Sequence, residues 1–502
     1  MAEETISLAE KDTVAVKPTV MQQVRGLQSN FWIANWMEAV ERLAYFGVRA
    51  IAPLYMIASI AQNGLALSYT EKGLIFAIWA LVQCLVPMVS GGFTDSYGYK
   101  KSLAIAFTIN IIGYILFANA SGFGSALAAS CMIGLGTAIF KPPVQGTIAK
   151  ASNEHNSSIA WGVFYWMVNV GGFLAPLLAA MVRGETNWRL VFYCAAGVTA
   201  FNFIPMLFFY REPERAKDAK RKTVGQTLKD VGVIFKDKNF LIFLGIFSGF
   251  WFMFMQLWDL LPNFIDDWVT SRDVAPLFSH FGSGLVLSSG NVKPEVLINI
   301  DSFAIIVLML PIAWLTGKFH PMIALIGGMV ISLVGFFMSG MSNLGFIVSL
   351  GIFIFAIGEM CCSPKFSEYI GLTAPADKKA LYMGYSNIPF AVGWTLGNLV
   401  SGSLYEKLGD KIQFARDYMV ANFGMSASAA KDLPQDKVMD TMASMMSAGG
   451  KTMSVEDATR VLWDIHHPWL VWVVLGGIGT VSTLAMLWYY FQTRNRVQPA
   501  KA

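Results

Sequence analysis

Apolar stretches of about 20 residues recur twelve times along this chain, at approximately 31–58, 73–93, 102–120, 125–149, 158–182, 188–210, 240–262, 298–317, 321–341, 344–370, 381–405 and 468–492. Each has the length a helix needs to cross a hydrocarbon layer about 30 Å thick. The expected fold class is therefore all-α membrane, with twelve spans in two sets of six. A charged interval at 211–239 separates the sets and carries Arg211, Arg215, Lys217, Lys220, Arg221, Lys222, Lys229, Lys236 and Lys238. Lys100 with Lys101, Lys378 with Lys379, and Arg494 with Arg496 fall on the same side of the count. Basic residues favour the cytoplasmic side, so both termini are expected there, in a bacterial inner membrane.

The expected organisation is a cytoplasmic tail over 1–30, a six-helix bundle over 31–210, a surface linker over 211–239, a second bundle over 240–492 and a short tail over 493–502. The first thirty residues hold no apolar run, so no cleavable signal is expected. Two polar inserts, about 263–297 and 406–467, interrupt the second bundle on the outward side. They read either as a cap over the outer mouth or as a binding module.

With 55% hydrophobic and only 14% charged residues, the chain lies outside the range of soluble domains. Its net charge of +4 fits loop bias rather than nucleic-acid affinity, because no basic and aromatic surface repeat accompanies it. Cys84, Cys131, Cys194, Cys361 and Cys362 all lie in apolar runs and read as core packing residues. His466 and His467 are adjacent and point apart on a helix, which makes a poor metal site, so none is expected. No nucleophile with a base and no phosphate loop is evident, so an enzyme is not expected.

The first span carries Glu38, Glu41, Arg42 and Arg49. A charge near the bilayer centre costs about 2.5–3.5 kcal/mol, so this helix must turn its polar face to protein or water. At about 100° per residue, Glu38, Glu41, Arg42, Tyr45 and Arg49 share one face. The stripe is either a buried ion pair fixing helix packing or a path for ions or solute. Lys141, held by Pro142 and Pro143, either reaches an interior carboxylate or snorkels to the boundary. Glu359 has no sequence-local cation, and Asp301 is either a helix N-cap or an interior acid. The loop Gly91-Gly92-Phe93-Thr94-Asp95-Ser96-Tyr97-Gly98-Tyr99-Lys100-Lys101 joins an acid, a turn glycine and a basic pair. Asp95, Gly98, Lys100 and Lys101 read as a latch between helices or as plain topology anchors.

That loop resembles the signature of the major facilitator superfamily. Glu38-x-x-Glu41-Arg42-x-x-Tyr45-Phe46-Gly47-x-Arg49 resembles the first-helix motif of its proton-dependent oligopeptide transporters. Phe140-Lys141-Pro142, Phe164-Tyr165 through Asn169-Val170-Gly171, and Gly358-Glu359 through Ser363-Pro364 are similar to that family's fourth-, fifth- and tenth-helix segments. The resemblance implies twelve helices in two six-helix bundles with a binding cavity between them. It also implies proton-coupled import of short peptides or peptide-like zwitterions, by a monomer in the lipid bilayer, with the proton gradient in place of any cofactor. Glu38, Glu41, Arg42, Lys141, Asp259 and Asp301 would serve proton coupling, and Tyr45, Arg49, Lys141, Tyr165, Asn169, Gln256, Glu359 and Asn387 would hold substrate. The chain departs from the family at Phe254-Met255-Gln256, where a glutamate is usual, and Asp259, one turn on, or Asp301, which opens the eighth span, is the candidate replacement. Ser386-Asn387 stands where a tryptophan is usual, and the two extra helices of many bacterial members are absent. A proton-driven antiporter exporting drugs or metabolites and a transporter-like sensor remain alternatives.

Overall fold

The structure, a computed structural model, describes residues 20–87, 90, 94, 97–153, 156–213, 237–374, 382–383, 385–447 and 452–493. Long helices stand at all twelve expected positions: α1 (Ser29–Ile57), α2 (Tyr69–Leu85), α3 (Tyr99–Ala118), α4 (Phe123–Ala151), α5 (Ser157–Arg183), α6 (Trp188–Phe201), α7 (Lys238–Phe254), α8 (Ile300–Thr316), α9 (Pro321–Gly340), α10 (Gly345–Thr373), α11 (Asn387–Leu408) and α12 (Leu470–Thr493). Among the described residues, nine of these, with their flanking turns, are long and apolar enough to cross a membrane. Of the other three, α1 is diluted by its four charges and α11 by Asn387, Asn398, Glu406 and Lys407, and α2 is described as a helix over 17 residues. The charges of α1, Lys72 of α2 and Asn398 of α11 are buried in protein.

The first six helices pack among themselves, α1 against α4, α5 and α6, and α3 against α4 and α6. The second six do likewise, α7 against α11 and α12, and α10 against α8 and α9. The halves meet through α2 with α11 and α5 with α8. Small residues let the first of these seams close. A Cβ on Gly73 would stand 2.4 Å from the Asn398 carbonyl oxygen, and one on Gly402 would stand 2.5 Å from that of Tyr69. Membrane helices have no hydrophobic drive to associate, so such backbone approach supplies much of the attraction.

Both inserts gather at one end of the molecule, here called the insert end. Lys411–Phe423, Ala427–Asp432, Val438–Ser447 and Val455–His466 form a cluster of short helices. Three of the four starts are capped, by Asp410, by Ser426 and by the Ser454/Asp457 capping box. Phe414, Met419, Met442 and Leu462 bury themselves against Trp268 and Trp463, and Trp268 donates its indole N–H to the Gly409 carbonyl at 2.9 Å. The 406–467 insert is thus a packed cluster of short helices.

Two expectations change. Cys84, Cys361 and Cys362 are buried, but Cys194 is exposed and Cys131 half-buried, because their helices turn one flank outward where a thiol is apolar enough to remain. In the latch, Asp95 lies outside the described residues, as do most of the linker, Lys378, Lys379, Arg494 and Arg496. Gly98 takes a φ of 106° at the start of α3, a conformation that favours glycine. The carboxylate found at that helix start is Glu212, which accepts from the Tyr99 and Lys100 backbone N–H groups at 2.8 and 2.9 Å. Lys100 reaches the Leu207 carbonyl at 3.0 Å, and Lys101 is exposed.

Candidate functional site

Three charged clusters lie between or beside the halves. The first is on α1. The Arg42 guanidinium pairs with Glu41 and, at 3.2 Å, with Glu38, and all three side chains are buried. Thr137 of α4 donates to Glu41 at 3.2 Å. Arg42 also sits 5.0 Å from the centre of the Tyr45 ring, an arrangement that attracts a cation. A Cβ on Gly171 of α5 would stand 2.9 Å from Arg42 Cβ, so the fifth-helix glycine makes room for the first-helix arginine. Lys141 is within electrostatic reach of Glu38, Glu41 and Arg42 but forms no ion pair among the described residues. Tyr45 turns to Gln83 at 2.8 Å, which also accepts from Trp79 at 3.0 Å.

The second cluster joins the halves. Arg49 of α1 pairs with Asp259 in the turn that follows α7. Asp259 also accepts from the Trp394 indole at 2.5 Å and the Asn398 amide at 2.8 Å. The Arg49 guanidinium is 4.5, 4.9 and 5.2 Å from the ring centres of Phe76, Trp79 and Trp394, so it is boxed by aromatic faces and held by one acid. Lys72, 2% exposed, donates to the Asp259 carbonyl at 2.9 Å and to Asn263 at 2.7 Å. Asn263 in turn donates to the Pro53 carbonyl at 2.9 Å. Tyr69 of α2 and Tyr405 of α11 share Asp267 at 2.7 and 2.9 Å.

A further clamp lies at the same end. Arg183, at the close of α5, forms a two-point pair with Glu295 at 2.5 and 3.2 Å, and its guanidinium lies 4.4 Å from the Trp188 ring centre. Lys293 donates to the α5 carbonyl of Ala180 at 2.6 Å and to that of Gly184 at 2.5 Å, as a cation at a helix C-terminus should. Burial, with Arg183 nearby, pushes the Lys293 ammonium below the usual lysine range. Glu185 accepts from the Ser288 N–H at 2.8 Å, and the Ser288 hydrogen bonds hold its carboxyl below the ordinary range.

The third cluster is Asp301 on α8 and Glu359 on α10, whose carboxyls contact each other. Asp301 is 1% exposed and makes no cap hydrogen bond; Asn299 precedes the helix, so the N-cap reading is replaced by an interior acid. Tyr165 of α5 is within electrostatic reach of both, and Asn169 donates to the Tyr165 carbonyl at 2.8 Å. Gln256 is buried and donates to the Phe252 carbonyl at 3.0 Å, while Asn387 is exposed at the start of α11. A groove lined by Gly245, Gly249, Gly477 and Ser482 opens between α7 and α12, apart from all three clusters. Lys72, Asn263, Trp394, Asn398, Arg183, Lys293 and Glu295 were not legible as site residues, because each sits at the border of an apolar run or beside a small polar residue that helix packing would also explain.

Two bundles of membrane-length helices joined by buried ion pairs define a polytopic membrane protein of the transporter kind. The chain belongs to the Major Facilitator Superfamily, whose model matches residues 40–291. A di-/tripeptide transporter of Lactococcus lactis subsp. cremoris is 28% identical over 41% of this chain and 43% of its own length; the chain thus spans less than half of that relative. Multidrug resistance protein MdtH of Klebsiella pneumoniae subsp. pneumoniae is 23% identical over 77% of this chain and 88% of that protein. A solved POT family transporter in complex with 5-aminolevulinic acid superposes with a TM-score of 0.68 at 15% identity, covering 94% of this chain and 99% of that one. The resemblance to the oligopeptide branch is thus found again in sequence, as a divergent one, and the solved neighbour shares the fold.

Proposed function

We propose that the chain is a proton-coupled secondary transporter that imports short peptides or peptide-like zwitterions by alternating access. The observation that carries this reading is the Arg49–Asp259 pair, a buried charge pair whose two members belong to opposite halves. Protonation of Asp259 removes the charge that holds Arg49, so a proton biases whether the halves part at the insert end. Glu38 and Glu41 act on Arg42 in the same way, leaving its guanidinium free for a substrate carboxylate. Arg42 and Lys141 form the positive pole, and Glu359, with Tyr165 and Asn169 nearby, the pole for the amine. On this reading the insert end lies outside the cell and both termini inside, with the bundles at 31–210 and 240–492 in a bacterial inner membrane; the bias of basic loops toward the cytoplasm supports that orientation.

The relatives support solute transport: one is named for di- and tripeptides, and the solved neighbour is in complex with 5-aminolevulinic acid. A second reading, proton-driven export of drugs, draws on the MdtH relatives, which match most of the chain. Proteoliposomes with an imposed inward proton gradient separate the two. Accumulation of labelled alanyl-alanine that collapses in Glu41→Gln supports import, whereas a full signal in that variant, or solute movement only against the proton flow, overturns it.

A further inference from the structure

We propose that the groove between α7 and α12 holds one anionic phospholipid, its acyl chain lying along the groove and its phosphate at Lys238. Both helices are long and apolar enough to cross a membrane, so the groove opens sideways onto lipid whichever solute the interior carries. It has a volume of about 420 Å³ and runs from Val474 to Ala485 on α12, about 16 Å at 1.5 Å per residue, beside Gly245 and Gly249 on α7. A Cβ on Gly245 or on Gly477 would meet nothing within 4 Å, so both walls are bare backbone there. The Ser482 hydroxyl in the lining donates to the Ile246 carbonyl at 2.6 Å, and so asks for no water.

Both helices carry the groove's face on toward the end of the molecule opposite the inserts. At about 100° per residue, Lys238, Ile242, Gly245 and Gly249 share one face of α7, and Gly477, Val481, Ala485 and Trp488 share one face of α12. The helices run antiparallel, with Gly249 against Ser482 and the Phe243 ring 5.7 Å from that of Tyr489, so Lys238 comes level with the last turn of α12. Lys238 and Trp488 are both exposed, and tryptophan at such a depth marks the layer where lipid headgroups begin. Asp237 does not neutralise the lysine, because its carboxylate accepts from the Phe240 N–H at 3.1 Å and from the Tyr382 hydroxyl at 2.7 Å. An apolar groove that ends at an ammonium matches an amphiphile with an anionic head, and a membrane supplies one as phospholipid. A second copy of the chain is the competing occupant, since glycines four apart also pair helices. A helix 10–12 Å across and as long as the groove takes up roughly 1,500 Å³. The exposed Ile242 and Val481 would hold it off the glycines, whereas an acyl chain passes between them.

The test uses the full chain in detergent micelles, titrated with phosphatidylglycerol or with phosphatidylcholine of the same acyl chains and weighed by native mass spectrometry. One phosphatidylglycerol per chain is expected, held about fivefold more tightly than phosphatidylcholine, which is what one lysine near an anionic head contributes. Lys238→Gln, a change on the exposed surface, should erase that preference, and Lys238→Arg should keep it. Phosphatidylglycerol with a photoreactive diazirine in its acyl chain should label peptides of α7 and α12. Gly245→Leu, whose side chain meets open space rather than protein, should fill the groove and remove that label. Equal affinity for the two lipids, a preference that survives Lys238→Gln, or label scattered over all the lipid-facing helices overturns the site. A mass of two chains that Gly245→Leu returns to one shows that a second copy covers the groove, and overturns it as well.

Discussion

Glu295→Gln is the substitution that most directly weighs the insert-end closure. The pair it breaks is 3% exposed at Arg183 and 0% at Glu295, so water cannot take over the role of the lost partner. Removing one member of a buried pair costs about 3–5 kcal/mol, and each 1.36 kcal/mol is tenfold in an equilibrium. Arg183 belongs to α5 and Glu295 to the short helix before α8. The cost therefore falls on the state in which the two halves meet, and an open state escapes it. Lys293 and Asn299 still tie the same elements, to Ala180 and Gly184 and, at 2.7 Å, to Phe173. The low end of the range is accordingly expected, a shift of about a hundredfold toward the open state. Spin labels on Asn187→Cys and Ser289→Cys, both exposed at this end, report it through their distance distribution. A new long-distance population in Glu295→Gln, reduced again when Arg183→Gln removes the stranded charge, is the expected outcome. An unchanged distribution in Glu295→Gln would show that the pair is packing alone.

Asp259→Asn leaves Arg49 buried beside neutral partners, so gradient-driven accumulation should fall at least tenfold while exchange without a gradient persists; equal loss of both refutes a coupling role. Gly402→Leu forces a side chain into a seam where a Cβ already stands 2.5 Å from the Tyr69 carbonyl, and should lower thermal stability by about 1–3 kcal/mol, with Gly197→Ala in α6, which meets open space, as the control for ordinary glycine loss. His466 stacks on Phe414 at 4.0 Å, and burial holds its ring below the usual histidine range. The unfolded cap then binds the proton first, so cap stability should fall as pH drops from about 6.5 toward the folded value, visible as faster amide exchange in 411–466; a flat profile contradicts it.

Most of the helices could be read from the chain because lipid imposes one rule on every residue of a span, and an apolar run of fixed length satisfies it locally. Asp259 could be proposed from its spacing after Met255, since one helical turn keeps a side chain near the face of the residue it replaces. Its partners could not. Trp394 and Asn398 come from α11, and a tryptophan or asparagine there is equally consistent with ordinary helix packing. Glu212 as the cap of α3 was hidden for another reason: the basic residues around it had already explained the linker's charge, and a backbone N–H pair leaves no trace in a sequence.

The charges divide by what each can give up. Arg42 has two acids of its own helix, so losing one still leaves it paired, and it suits graded response to protons or substrate. Arg49 has one acid across the seam and three rings that cannot stay together if the halves part, because Trp394 travels with Asp259 while Phe76 and Trp79 stay with Arg49. Opening thus separates a buried ion pair and halves an aromatic box in one motion, which is expensive while Asp259 is charged and much less so once it is neutral. Asp301 and Glu359 face no cation among the described residues, and each keeps a buried oxygen without a hydrogen-bond partner, so opening costs them no ion pair. A chain with self-paired, cross-paired and unpaired acids in one interior has the separate sensitivities that coupling two solutes to one movement requires.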